Sequence, residues 1–136
     1  MAEDWSQERA RIVAAQAEAA QRAAAKESAA AQALIDRFVA EARERGVAPE
    51  PLVAHGPGGR GRYRTGLTGW VLTRDGTVAV DTEGRYYLLR AIGGVRERLT
   101  GTRLEPTDPP LVVGKGARDG ESMDLDRLLE RRLDAG

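Results

Sequence analysis

Residues 60–64 read Arg-Gly-Arg-Tyr-Arg, the one local basic cluster of the chain, and no acidic residue lies between Glu50 and Asp75. Arginine grips phosphate oxygens bidentately, an aromatic ring stacks on a base, and glycine lets the backbone come close. Arg60, Arg62, Tyr63 and Arg64 are therefore the candidate contacts for phosphate or nucleic acid. The stretch His-Gly-Pro-Gly-Gly-Arg-Gly at 55–61 also satisfies G-x-G-x-x-G through Gly56, Gly58 and Gly61. A dinucleotide loop needs a helix after it, but a strand is what the following residues predict. Arg62-Tyr63 stands where a P-loop requires Lys followed by Ser or Thr. A flexible loop is the plainer reading, with Tyr63 turned into the core.

Other chemistry is sparse. His55 is the only imidazole. Asp75, Asp81 and Glu83 fall where turns are expected, and turn chemistry accounts for them. Asp119, Glu121, Asp124 and Asp126 form the densest acidic cluster, but their spacing is not that of an EF-hand loop. An acid-rich helix start explains them. Nothing frames a nucleophile such as G-x-S-x-G. The absence of Cys excludes disulfides, thiolate zinc sites, iron–sulfur clusters and cysteine nucleophiles. These patterns predict no catalytic residues, no cofactor and no metal.

Charge bears on partners. The 21 basic residues balance 21 acidic ones, and a net charge of zero weighs against a broad affinity for nucleic acid. Only Lys26 and Lys115 are lysine, and Ala, Gly and Arg abound. Their codons are GC-rich, which points to a bacterial gene and discounts arginine-richness as a functional signal. No apolar run approaches the ~20 residues of a membrane span, and the N-terminus has no apolar signal core. A cytoplasmic protein with no membrane partner is expected.

The elements that must position these residues divide the chain in three. Trp5 to Arg45 holds no Gly or Pro and is dominated by Ala, which predicts one helix of about 60 Å, capped by Asp4 or Ser6. Gly46, Pro49 and Pro51 end it. Its C-terminal part carries Leu34, Ile35, Phe38 and Val39, large enough to dock on a core, so 1–46 reads as a helical arm whose residues 34–42 dock. The rest of its stripe offers mostly methyl groups. Residues 47–61 read as a Pro/Gly-rich linker, in which Leu52 and Val53 form an edge strand or an anchor.

Residues 62–136 read as a small α+β head. Leu67–Thr73, Thr77–Asp81 and Arg85–Ala91 are three strands joined by turns at Asp75-Gly76 and Glu83-Gly84. Arg98–Leu104 and Leu111–Val113 are weaker fourth and fifth strands. Met123–Leu133 is an amphipathic helix capped by Ser122, with Leu125, Leu128, Leu129 and Leu133 in one stripe. Because strand side chains alternate, one of Tyr86 and Tyr87 must leave the main core. The predicted fold class is α+β: a long Ala-rich helix, a three-to-five-stranded antiparallel meander and a C-terminal helix packed on the sheet.

The functional expectation follows from what is missing as much as from what is present. The helix is too long for its head and too weakly apolar to be buried by it. A non-enzymatic interaction module is expected, which pairs with a second copy as a coiled-coil homodimer or with a partner protein. Val13, Ala17, Ala20, Ala24, Ala31, Ile35 and Phe38 are the expected helix–helix interface. The alternative is a nucleic-acid or phosphate-binding accessory protein acting through Arg60–Arg64.

Overall fold

The computed structural model describes residues 2–114 and 122–136. It is α+β, with helix α1 at Ala2–Arg45, a four-stranded antiparallel sheet, a short helix α2 at Val95–Thr100 and helix α3 at Leu125–Ala135. The sheet strands are β1 (Glu50–His55), β2 (Arg62–Val71), β3 (Val78–Asp81) and β4 (Tyr86–Leu88), in that spatial order.

Helix α1 has 44 residues and runs about 66 Å at ~1.5 Å per residue. It stops where Gly46 takes a left-handed φ of 71°. The Gly46 amide bonds Arg43 O at 3.2 Å and the Val47 amide bonds Ala42 O at 2.8 Å. These are the two bonds of a Schellman stop, with buried Val47 as its apolar clasp.

The segment expected as a linker contains a strand. β1 pairs along β2 with Val53 opposite Arg64 and His55 opposite Arg62, and the register slips between Pro51 and Val53. Pro is tolerated here because β1 starts on the sheet edge. β2 then pairs with β3 through Trp70 and Val80, and β3 with β4 through Val80 and Tyr86. The sheet curls until its ends meet. The His55 amide bonds Leu89 O and the Ala91 amide bonds His55 O, both at 2.9 Å, a parallel bridge between β1 and the residues after β4.

Curling gives the sheet two covered faces. Trp70, Leu72, Val78, Val80 and Tyr86 face outward onto Ala31, Ile35, Phe38, Val39 and Ala42 of α1 and Leu125, Leu128 and Leu129 of α3. Phe38 meets Trp70 edge-on, ring centres 5.4 Å apart, and the Trp70 indole N–H donates to Val47 O at 3.0 Å. On the concave side lie Leu52, Ala79, Tyr87 and Leu89, then Ala54, Tyr63 and Ala91, with Leu104 against both groups. Tyr86 and Tyr87 thus do point opposite ways, and both are buried.

Two expected elements differ. Residues 98–104 form no strand: Val95–Thr100 is helical, bracketed by Gly94 and by Gly101 at a φ of 88°. Arg, Glu and Leu favour helix over strand, and that propensity prevails between two helix-breaking glycines. Val112–Val113 does form a strand, β5, but it pairs with Met123–Asp124 (β6) apart from the main sheet. That ladder delays the C-terminal helix, so Asp124 rather than Ser122 takes the N-cap position.

Candidate functional site

The basic loop is built by its glycines. After β1, residues Pro57–Gly59 make one 3-10 turn, and Gly58, Gly59 and Gly61 hold φ values of 66°, 77° and 80°. Side chains strain in that region, so three glycines are what the turn requires. The Gly59 and Arg60 amides bond Gly56 O and Pro57 O, and the Gly56 amide bonds Gly61 O. Those three amides serve the turn itself and form no phosphate cradle. Arg60, Arg62 and Arg64 are exposed.

Tyr63 corrects the stacking expectation. It is 5% exposed and packs with Ala54, Ala91 and Leu104 on the concave side of the sheet. Gly93 lies directly on its hydroxyl, where a Cβ would overlap it, and Gly56 and Gly61 crowd the ring. Its partner in the β1–β2 ladder is Ala54, while the flanking Arg62 and Arg64 point to the opposite side.

Helix α2 completes this surface, and sequence reasoning missed it. The Arg64 guanidinium donates to Leu99 O at 3.1 Å, and the Thr102 amide donates to Arg64 O at 2.8 Å. Arg98 lies over Gly61, its Nη2 3.1 Å from where a Cβ would stand. Arg62 on β2 and Arg90, two residues after β4, pair with His55 from either side. Residues 55–64 and 90–103 together carry seven Arg and one acid, Glu97. Arg103 reaches Glu105 at 3.8 Å, whereas Arg60, Arg62, Arg64, Arg90, Arg96 and Arg98 enter no ion pair among the described residues. On the same stretch Ile92, Val95 and Leu99 are 96%, 78% and 73% exposed. The sequence signal was present: Gly-Gly at 93–94, Gly101, and Val95 and Leu99 four residues apart.

The arm offers the other surface. Residues 3–27 of α1 are exposed throughout. Trp5 is 70% exposed, with the Arg9 guanidinium 5.4 Å from its ring centre. Trp5, Arg9, Val13 and Ala17 lie along one exposed face of the arm. Of the expected interface, Val13, Ala17, Ala20 and Ala24 stand in solvent, but Ala31, Ile35 and Phe38 do not. Those three are buried in the chain's own core, because the docked stretch of the helix reaches back to Ala31, beyond the expected start at residue 34.

The acidic residues expected at turns and at the start of the C-terminal helix are not brought together. Asp81 is buried and saturated, accepting from the Glu83 and Arg85 amides at 2.9 Å and the Arg85 Nε at 2.8 Å. Its charge and the burial of the ring, burial first, push the Tyr87 phenol above its ordinary pKa. Burial works against ionising Asp75, yet bonds from Thr77 and Thr73 hold its carboxyl below the usual range. Asp124 and Asp126 begin α3, while Asp119 and Glu121 lie outside the described residues. Among the described residues no three His, Asp or Glu side chains gather as a metal site. No family model, curated protein or solved structure matches the chain, so any function must be argued from these surfaces.

Proposed function

We propose that the protein is a non-enzymatic interaction module whose helical arm pairs with the arm of a second copy. One observation carries this reading: the stripe that docks on the head continues, uncovered, along the arm. Ala31, Ile35, Phe38 and Ala42 are buried on the head, and at helical spacing the same side of α1 presents Val13, Ala17, Ala20 and Ala24 to solvent. Asp4, Glu8, Arg11, Glu18, Arg22 and Lys26 fall on the opposite side. Small side chains let two backbones approach closely, and a second copy is always at hand. An antiparallel pair centred between residues 18 and 19 sets Val13 of each copy against Ala24 of the other and Ala17 against Ala20.

Light scattering across a concentration series tests the proposal. The expected mass approaches twice 14.7 kDa, and Ala17→Glu, Ala20→Glu and Ala24→Glu together return it to one chain with the head folded. A single-chain mass for the unmodified protein at high micromolar concentration refutes it.

A further inference from the structure

Ile92, Val95 and Leu99 are large aliphatic side chains standing almost wholly in water on one short stretch of chain. Val95 and Leu99 are one helical turn apart on α2, and Ile92 precedes them. The stretch is fastened to the sheet beneath it: Leu99 O accepts from Arg64, Gly93 sits on the Tyr63 hydroxyl, and the Thr102 amide donates to Arg64 O at 2.8 Å. The aliphatic groups are therefore held on a braced element. Arg96 and Arg98 lie on α2 itself, Arg64 reaches Leu99 O, and Arg98 reaches over Gly61 to the loop that carries Arg60 and Arg62; Arg90 precedes Ile92 by two residues, and Glu97 is the one acid in the two segments. None of the six guanidinium groups is in an ion pair among the described residues. The whole chain is neutral, so this face is basic at the expense of the rest.

We infer that this face docks on the surface of an anionic phospholipid bilayer. A bilayer presents a layer of phosphates over a layer of acyl chains, which matches arginines around protruding aliphatic groups. Arginine stems lie along apolar surface while their heads stay with the phosphates. Nucleic acid matches only half of the surface. It would engage the arginines but leave Ile92, Val95 and Leu99 in water, and the one aromatic of the basic cluster, Tyr63, is buried and unable to stack. No helix of the described residues is long and apolar enough to cross a membrane. The expectation of no membrane partner rested on that missing span, which surface docking does not require.

Co-sedimentation of the full chain with vesicles tests this. Vesicles of phosphatidylcholine mixed with phosphatidylglycerol should retain the protein, vesicles of phosphatidylcholine alone should not, and salt should weaken retention. Ile92→Ser, Val95→Ser and Leu99→Ser combined should reduce binding about tenfold or more, and so should Arg60→Ser, Arg62→Ser and Arg98→Ser combined. Circular dichroism confirms that each variant is folded. A Trp at position 92 (Ile92→Trp) should shift its emission to the blue on the anionic vesicles only. Equal vesicle binding by the wild type and the aliphatic variant overturns the inference, as does an unshifted Trp. So does duplex or single-stranded nucleic acid retained equally by the wild type and the aliphatic variant, if anionic vesicles are not bound.

Discussion

Removing residues 2–30 should leave a head that still unfolds cooperatively, with its urea midpoint lowered by about 1 M at most. The magnitude follows from what those residues touch. Every side chain described from residue 3 to residue 30 is exposed except Ser28, which is half-buried. Among the described residues one hydrogen bond to the head is lost: Glu27 Oε2 accepts from the Leu111 amide at 3.0 Å, on the surface. Such a bond contributes about 1 kcal/mol net. Ile35→Ala is the contrasting perturbation. Ile35 is fully buried on the face of α1 that meets the sheet and α3, and its truncation should cost about 2–5 kcal/mol. The assay is urea unfolding followed by tryptophan fluorescence. The truncation removes Trp5 and leaves Trp70, which reports the core alone. The slope of the transition should barely change, because it scales with surface newly exposed on unfolding and the arm is already exposed. For a head of this size the melting temperature should fall by about 5 °C. Self-association of the full chain would add a concentration-dependent term, so the Glu-substituted arm is the proper reference. A truncated chain that melts without a sigmoid, or loses as much as Ile35→Ala, refutes the division into arm and head.

Three further outcomes test the core. Burial pushes the Tyr86 phenol up to about 12, so above pH ~10 the unfolded chain releases a proton that the folded one keeps. Stability should then fall as pH rises from about 10 to 12, approaching ~3 kcal/mol, and Tyr86→Phe should flatten much of that slope in urea midpoints measured at each pH. Gly69→Ala should destabilise by ~2 kcal/mol or more, because a Cβ there meets Val80 O and the Asp81 backbone; a midpoint unchanged in urea would show that β2 and β3 are not so close. Asp81→Ala should cost about 1–3 kcal/mol by leaving the Glu83 and Arg85 amides without their acceptor, and Asp81→Asn should recover part of it, read in the same assay.

Legibility followed the strength of local chemistry. The long helix, the turns at Asp75-Gly76 and Glu83-Gly84, and the stripe of Leu125, Leu128 and Leu129 are each over-determined by composition, turn residues or period, and each is present. Residues 98–104 read as a strand because a short run with Leu99 and Leu104 has no clear period, whereas the glycines at 94 and 101 limit a helix. β1 was only half-seen, because Pro49, Pro51 and Pro57 mark a loop while the partners that make it a strand lie in β2. Curling of the sheet through His55 and Leu89 was not legible at all, since parallel closure is set by twist and register over four strands. The site suffered the same way. Arg60, Arg62 and Arg64 are where the loop reading put them, in solvent, but Arg98 and the aliphatic groups beside them come from a segment thirty residues on. Whether Tyr63 faced out or in depended on strand phase, which the glycines left open.

Exposure of the arm raises the question of what keeps it helical, and the docked end answers it. Nucleation is the costly step of helix formation, whereas each added residue of an Ala-rich sequence is near neutral or favourable. Residues 31–45 are fixed by Ile35, Phe38 and Ala42 in the core, by Gln32 donating to Gly84 O at 2.8 Å and by Arg43 donating to Thr82 O at 2.6 Å. From that nucleus the helix need only propagate outward through Ala29, Ala25, Ala24 and Ala23. Helicity and association are therefore separable. Glu is nearly as good a helix former as Ala, so the chain with Ala17, Ala20 and Ala24 changed to Glu should lose its partner and keep most of its helix signal in circular dichroism. A loss of both together would mean that the arm folds only against a second copy, and the head would then supply no more than an anchor.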